Sequence, residues 1–150
     1  MGLKMIIPVL EGDIREISPS VLAYVGDAVF ELFIRLYLIS GKIGKSGALH
    51  KSAIQHVRAK AQADASRVLL TELTSEEMSV FRRGKNSNPA SLAKNASPAD
   101  YKYATGLEAL IGFLYLTDQQ VRLDEILYRI LEIEKQIEKG EVQANEEDQT

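Results

Sequence analysis

Apolar residues dominate two long stretches of the chain, and a helix-start signal precedes each of them. The first stretch follows Ser18-Pro19 and runs through VLAYVGDAVFELFIRLYLIS to Gly41; the second follows Ser97-Pro98 and reads ADYKYATGLEALIGFLYLT. Serine before proline is typical of a helix N-terminus, because the hydroxyl accepts a backbone N–H and proline fits the first helical position. A helix that is apolar on most sides is buried in a core, or between a core and an interface. We therefore predict two central helices.

The rest of the chain predicts further helices and no strand. Thr74 followed by Glu77 fits a capping box that begins one of them, and residues 84–98, rich in Gly, Asn, Ser and Pro, predict the longest loop. No apolar–polar alternation with a period of two is present. We expect an all-α protein with one domain of about six or more helices over residues 1–140 and an acidic, disordered tail over 141–150. The remaining predicted helices cover residues 46–55, 57–73 and 122–139.

Composition narrows the class of protein. Apolar residues make up 45% of the 150 residues, as in folded globular proteins. No apolar run reaches the roughly eighteen residues that predict a membrane span. The N-terminus has no signal-peptide pattern, so a cytoplasmic location is the expectation. The absence of cysteine excludes a disulfide scaffold, a thiolate zinc site and cysteine catalysis.

The charge distribution favours an anionic partner, although the net charge is −3. Residues 41–70 carry six Lys and Arg against one Asp, and residues 81–102 carry five against one. Residues 117–150 carry four basic and ten acidic groups. A phosphate responds to charges within a Debye length of about 8–10 Å, so local clusters matter more than the average. A solvated face explains one cluster equally well, but two basic segments in an acidic protein favour an anionic partner.

Asp27 and Glu108 lie inside the two apolar helices, where charged residues are unexpected. An unpaired buried carboxylate is costly, so it is normally neutralised by a proton, a basic side chain or a metal ion. For either residue alone, a helix face that reaches water or a buried salt bridge is the simpler explanation. Gly26, Gly106 and Gly112 lie near these acids and favour close helix packing. Two acids on packed helices would face one cation, and such oxygen ligands suit Mg²⁺ or Mn²⁺.

Other chemistries have weaker support. His50 and His56 are six residues apart, which is not the spacing of a metal-binding helix, and we interpret them as exposed or RNA-facing. No phosphate-binding glycine loop follows a predicted strand. Residues 82–88, RRGKNSN, combine cations and amides suited to phosphate oxygens and 2′-hydroxyls, with a solvated loop as the alternative.

Two segments carry a resemblance to a known family. VLAYVGDAVFELFIR resembles the signature helix of the ribonuclease III endonuclease domain, and TGLEALIGFLYL resembles its second acidic helix, in the same order and at a matching separation. The resemblance spans residues 17–135. The segments AYVGDAVFE, RRGKN and YKYATGLEAL, in a chain too short for an appended double-stranded-RNA-binding domain, look like the mini-ribonuclease III branch of that family.

The resemblance implies a metal site with fewer acids than the family pattern contains. The family's invariant aspartate falls on Asp27 and its invariant glutamate on Glu108, so these two are the expected metal ligands and catalytic residues. The two further acids of the pattern fall on Ala23 and Thr105, which leaves the full ligand set open. Glu31 lies one turn after Asp27 and is a candidate outer-shell acid, with a salt-bridging surface residue as the equal alternative.

The resemblance further implies a homodimeric, metal-dependent endoribonuclease that cleaves double-stranded RNA, leaves 5′-phosphate ends and matures 23S ribosomal RNA. Mg²⁺ is the expected cofactor, with Mn²⁺ as a substitute. The apolar excess of the first helix would bury a dimer interface, with Tyr24, Phe30 and Phe33 as candidates. Because no separate RNA-binding domain is expected, the catalytic domain itself has to bind the RNA. The candidate RNA-binding residues are Lys51, Arg58, Lys60, Arg82, Arg83, Lys85 and Lys94.

Two other interpretations stay open. One is a non-catalytic double-stranded-RNA-binding or ribosome-associated protein of the same fold, for which Ala23 and Thr105 are the best support. The other is a helical protein-interaction module, which predicts no salt-sensitive RNA binding. A helix-turn-helix DNA-binding protein fits less well, because acids buried in its helices would have no role.

Overall fold

Helices build the part of the fold that the structure describes. The computed structural model describes residues 12–41, 56, 58–87 and 97–143, and these residues contain no strand. Two short 3-10 helices, Ile14–Glu16 and Leu70–Glu72, lie among them. The all-α prediction is confirmed, and the helix predicted over residues 46–55 lies outside the described residues. The described ranges contain five α-helices: α1 (Pro19–Gly41), α2 (Ala59–Leu69), α3 (Ser75–Lys85), α4 (Pro98–Leu116) and α5 (Gln120–Glu138).

Local capping signals begin two of the helices where the sequence predicts them. Ser97 accepts a hydrogen bond from the backbone N–H of Asp100 at 3.1 Å, and Pro98 is the first residue of α4. Thr74 accepts from the N–H of Glu77 at 3.2 Å, and Glu77 accepts from the N–H of Thr74 at 2.9 Å. These reciprocal bonds complete the predicted capping box of α3.

Helix α4 is the centre of the fold, because it packs against each of the other four described helices. Its middle portion is buried on nearly every side, with Glu108 half-buried, which explains why its sequence lacks an amphipathic pattern. In the described part of the chain, no helix has the length and apolar character that crossing a membrane requires. The buried residues of α4 are Tyr103, Ala104, Gly106, Leu107, Ala109, Leu110, Ile111, Gly112, Phe113 and Leu114.

Two glycines let the backbones of α1 and α4 touch. A Cβ atom added at Gly26 would overlap the carbonyl group of Glu108, and one added at Gly112 would overlap the carbonyl oxygen of Leu22. Because backbone atoms cannot move aside as the end of a flexible side chain can, any larger residue would force the helices apart. The crossing therefore fixes the turn of α4 that carries Glu108 against the turn of α1 that follows Gly26.

We expect Gly26→Ala to destabilise the protein by about 3 kcal/mol or more, at the upper end of what overpacking costs. Alanine is the better helix former, so a loss of stability would report the helix contact and not helix propensity. Chemical denaturation measures the free energy of unfolding. Ser20→Ala, at an exposed position of the same helix, is the control and should change it by less than about 0.5 kcal/mol. Wild-type stability in Gly26→Ala would contradict the close crossing.

A buried ion pair ties α5 to the start of α3. Glu77 is 3% exposed. The Nε of Arg122 donates to Glu77 Oε2 at 2.8 Å, and its Nη2 donates to Glu77 Oε1 at 2.9 Å. The same Nη2 donates to the carbonyl of Glu72 at 3.0 Å. These Arg122 hydrogen bonds are the main cause that lowers the pKa of Glu77 below its ordinary value of 4.5, with the Thr74 N–H adding to the effect.

We expect Glu77→Gln to lose about 2–3 kcal/mol of unfolding free energy at pH 7, because it removes the buried carboxylate that pairs with the half-buried Arg122. A carboxyl with a lowered pKa contributes stability above its ordinary pKa of 4.5 and loses it as the pH falls through the folded value. The difference in unfolding free energy between wild type and variant should therefore become smaller as the pH falls below 4.5. Urea unfolding of both proteins at a series of pH values from 7 downward measures this difference.

Glu125→Gln is the matched control for that experiment. Glu125 contacts the other side of the same guanidinium, at 3.1 Å from Nη1, but its side chain is 59% exposed. An exposed pair contributes about 0–1 kcal/mol, so this variant should stay near wild type. If the loss of unfolding free energy in Glu77→Gln does not vary with pH, the loss comes from packing and not from the charge of Glu77.

Candidate active site

The crossing of α1 and α4 brings Asp27 and Glu108 together. Asp27 follows Gly26 on α1, and Glu108 is the residue whose carbonyl lies against that glycine. Burial of Glu108, the nearby charge of Asp27 and a hydrogen bond to Asp27 raise the pKa of Glu108 to about 9. In that hydrogen bond the protonated Glu108 carboxyl donates and the Asp27 carboxylate accepts. The two acids singled out in the sequence are therefore neighbours.

The two acids differ in their exposure to water. Glu108 is half-buried, whereas Asp27 is exposed although it lies in an almost wholly apolar helix. For Asp27, the structure shows the alternative in which its helix face reaches water. No basic side chain among the described residues pairs with either carboxyl, so a buried salt bridge does not explain them there.

The donor set fits a hard divalent cation only in part. Two carboxyl groups supply oxygen ligands, and Mg²⁺ is commonly held by one or two carboxylates, with water and phosphate oxygens completing six positions. No third acidic or histidine side chain in the described ranges joins them to form a metal-binding group. Among the described residues, two carboxyl groups are therefore available to a cation, and a cation held by two carboxylates would keep further positions for water and substrate, as a catalytic site requires.

Ala23 and Thr105 occupy the positions where the family pattern has its other acids. Ala23 is buried in the core. The hydroxyl of Thr105 donates to the carbonyl of Tyr101, one turn earlier in its own helix, at 2.9 Å. Neither position supplies a carboxylate to the pair.

Glu31 lies beside the pair and is itself ion-paired. The Nη2 of Arg35 donates to Glu31 Oε1 at 2.7 Å on the surface of α1. Glu31 and Asp27 also line the same cavity, of about 430 Å³. The surface salt bridge, one of the two alternatives in the sequence, is therefore observed, and the role of Glu31 as an outer-shell acid stays a prediction. The remaining cavity residues are Tyr24, Val25, Ala28, Val29, Leu32 and Tyr115.

The candidates for a dimer interface separate into two groups. Phe30 and Phe33 are 0% and 8% exposed and belong to the core, so their assignment to an interface is wrong. Their side chains point inward because the helix buries one of its two apolar sides within this chain. Tyr24, 81% exposed, lies on the other side. That outward side of α1 also exposes Val21, Leu32, Leu36 and Ile39.

The predicted RNA-binding residues have different surroundings. Lys51 and Lys94 lie outside the described residues. Lys60 pairs with Asp64 at 3.2 Å, and the ammonium of Lys85 lies 4.6 Å from the ring centre of Tyr103. Arg58, Arg82 and Arg83 are exposed. Of these, Arg82 and Arg83 line a groove with Ser75, Ser79, Asn86 and Pro19. Asn86 was singled out in the sequence as part of residues 82–88, but the two serines were not, because they are ordinary residues for a helix surface.

Known proteins resemble the chain over most of its length. The Ribonuclease III domain family matches residues 20–119. A mini-ribonuclease 3 of Clostridium tetani is 44% identical over 130 residues, or 86% of each protein. One of Staphylococcus aureus is 35% identical over 125 residues, covering 82% of this chain and 93% of the relative. The X-ray structure of a Fusobacterium nucleatum protein, 31% identical, matches with a TM-score of 0.72 and covers 87% of this chain and 98% of its own.

The chain therefore belongs to the ribonuclease III domain family, a class of endoribonucleases. Within that family its relatives are the mini-ribonuclease 3 proteins, with several at 35–44% identity. The family resemblance seen in the sequence and the enzyme class that it implies are confirmed. The matched residues 20–119 include both Asp27 and Glu108.

Asp27→Asn should lower the pKa of Glu108 from about 9, because it removes a neighbouring negative charge. We expect the value to stay above 4.5, since burial is the larger cause. NMR titration of the Glu108 carboxyl carbon in metal-free protein measures it. Glu31→Gln is the control and should leave the Glu108 pKa unchanged. If the pKa stays near 9 in Asp27→Asn, the two carboxyls do not interact.

Proposed function

We propose that the protein is a metal-dependent endoribonuclease that cleaves double-stranded RNA, with Asp27 and Glu108 as its metal ligands and catalytic residues. The meeting of two carboxyls without a basic partner among the described residues supports this most strongly. Mg²⁺ is the proposed ion, with Mn²⁺ as a substitute. The catalytic domain would cover residues 1–140, followed by the acidic tail over 141–150.

The proposed hydrolysis of RNA depends on the protonation and the exposure of Asp27 and Glu108. A bound divalent ion lowers the pKa of a water molecule and stabilises charge on phosphate oxygens. Asp27, exposed to water, presents its carboxylate to solvent and substrate. Glu108 has to release its proton before it becomes a ligand, because metal ligands bind in their deprotonated form. The products would carry 5′-phosphate and 3′-hydroxyl ends, and no side-chain nucleophile is required.

The substrate proposal rests on the basic residues and on the relatives. Duplex RNA is recognised mainly through its shape, phosphates and 2′-hydroxyls, which suits exposed Arg and Lys side chains. The precursor of 23S ribosomal RNA in the cytoplasm is the proposed substrate, as the family resemblance of the sequence implies. The residues proposed to contact RNA are Lys51, Arg58, Lys60, Arg82, Arg83, Lys85 and Lys94.

A homodimer is part of the proposal. The outward side of α1 exposes several large apolar side chains, and such a stripe on one helix favours a protein interface. A two-fold axis would pair this stripe with its own copy and present two active sites to the two strands of a duplex. Because Tyr24 and Leu32 line the cavity beside Asp27, the interface would border the active site.

Asp27→Asn and Glu108→Gln should each reduce cleavage of duplex RNA by at least about 100-fold, because each removes a ligand charge. Both amides are close in size to the acids, so circular dichroism should show an intact fold. Cleavage is followed by gel electrophoresis with Mg²⁺ and with EDTA. Glu132→Gln, at an exposed position of α5, is the matched control and should cut like wild type. Full activity in either site variant would remove the catalytic assignment.

The alternative of a non-catalytic RNA-binding protein of the same fold is not supported, because the family and the relatives of this chain are endoribonucleases. Ala23 and Thr105, which favoured it in the sequence, leave the two carboxyls of Asp27 and Glu108 in place.

A further inference from the structure

A histidine and a glutamate that are far apart in the chain form a pair outside the candidate active site. The Nδ1 of His56 donates to Glu134 Oε2 at 2.6 Å, across 78 positions of sequence. The two side chains are 27% and 15% exposed, so His56 is half-buried and not the exposed residue that the sequence suggested. The bond joins the chain just before α2 to the C-terminal helix α5.

The Glu134 carboxylate depends on His56 for a partner. Glu134 lies on the side of α5 that buries Leu127, Ile130 and Leu131. Its second oxygen, Oε1, is shielded from water and accepts no hydrogen bond from a described residue. A buried carboxylate without a partner is costly, and a charged donor makes a hydrogen bond roughly twice as strong as a neutral one. The proton on the His56 ring therefore stabilises the buried carboxylate.

Carboxylates of α5 favour the protonated form of the ring. The hydrogen bond to Glu134 is the main cause that raises the pKa of His56 above its ordinary value of 6.5. Burial acts in the opposite direction, and the negative charges of Glu134 and Glu138 add to the rise.

The neighbouring cations of α2 and α5 have other contacts or none. Lys60, four residues after His56, pairs with Asp64 at 3.2 Å. Lys135, next to Glu134 in the chain, lies 5.8 Å from the ring centre of Tyr37 on α1. In the described part of the chain, His56 is therefore the cation that Glu134 contacts.

The bond lies next to a helix end that has no cap. Arg58 is the N-cap residue of α2, but its side chain makes no cap hydrogen bond. The first turn is closed by the N–H of Gln62, which donates to the carbonyl of Arg58 at 3.0 Å. A helix end without a side-chain cap loses a stabilising contact, because its first N–H groups lack partners. An anchor at His56, two residues before Arg58, can hold this turn in place.

We infer that the pair of His56 and Glu134 is a proton-sensitive latch that holds the first turn of α2 against α5. With His56 protonated, the charged bond keeps the turn closed. When the proton leaves, a buried carboxylate faces a neutral ring, so the turn opens more often. The latch is a property of the fold and does not depend on the proposed cleavage of RNA.

The raised pKa fixes the direction of the pH dependence. A group whose folded-state pKa is raised contributes stability below its ordinary pKa, here 6.5, and loses it as the pH rises through the folded value. The latch should therefore be closed below pH 6.5 and weaken above the folded pKa.

NMR titration of the imidazole tests the charge of the pair in the full chain. His50→Gln leaves His56 as the only histidine, and its pKa should then lie above 6.5. Adding Glu134→Gln should lower that pKa, because it removes the main cause of the rise. Glu132→Gln, at an exposed position of the same helix, is the matched control and should leave it unchanged. A pKa at or below 6.5, or no fall with Glu134→Gln, would overturn the latch.

Hydrogen exchange tests whether the bond holds the first turn of α2. In wild type, the protection factor of the Gln62 N–H should fall as the pH rises above the folded pKa of His56. In Glu134→Gln it should be several-fold lower than in wild type below pH 6.5, without that fall. The N–H of Met78, bonded to the carbonyl of Thr74 at 2.9 Å in the first turn of α3, is the reference and should not differ between the proteins. If Gln62 behaves like Met78 in both proteins, the pair does not act as a latch.

Discussion

Direct contact between the backbones of α1 and α4 is the constraint on which the candidate active site depends. Side chains at Gly26 or Gly112 would separate the helices and move Glu108 away from Asp27. A glycine inside a helix costs up to about 1 kcal/mol relative to alanine, so both positions give up local helix stability to gain proximity. Burial of α4 among four other helices offsets that loss, since tertiary packing supplies most helix stability in proteins.

The burial of Glu108 beside Asp27 lowers the stability of the metal-free protein and favours the binding of a cation. With the pKa of Glu108 raised to about 9, the metal-free folded state becomes less stable as the pH rises above 4.5, because the unfolded chain releases that proton first. A cation that takes the place of the proton removes this destabilisation and stabilises the folded state by its binding free energy. The same burial that costs stability in the metal-free protein therefore contributes to the proposed site.

Local signals could be predicted from the sequence, whereas the choice of helix face could not. The N-cap hydrogen bond at Ser97 joins residues only three positions apart, so it can be predicted from the local sequence. The exposure of Asp27 and the burial of Phe30 and Phe33 depend on which side of an almost uniformly apolar helix meets α4, and no residue pattern encodes that. The Arg122 contact to α3 joins residues far apart in the chain and appears only in three dimensions.

The ion pair between Glu77 and Arg122 also has a consequence for the order of events during synthesis. The two residues are 45 positions apart. At a translation rate of about 5–20 residues per second, the ribosome adds Arg122 roughly 2 to 9 seconds after Glu77. Until then a buried Glu77 carboxylate would have no guanidinium to neutralise it, which favours a nascent α3 that stays hydrated. We therefore expect α3 to reach its final packing only after the segment that carries Arg122 has been made.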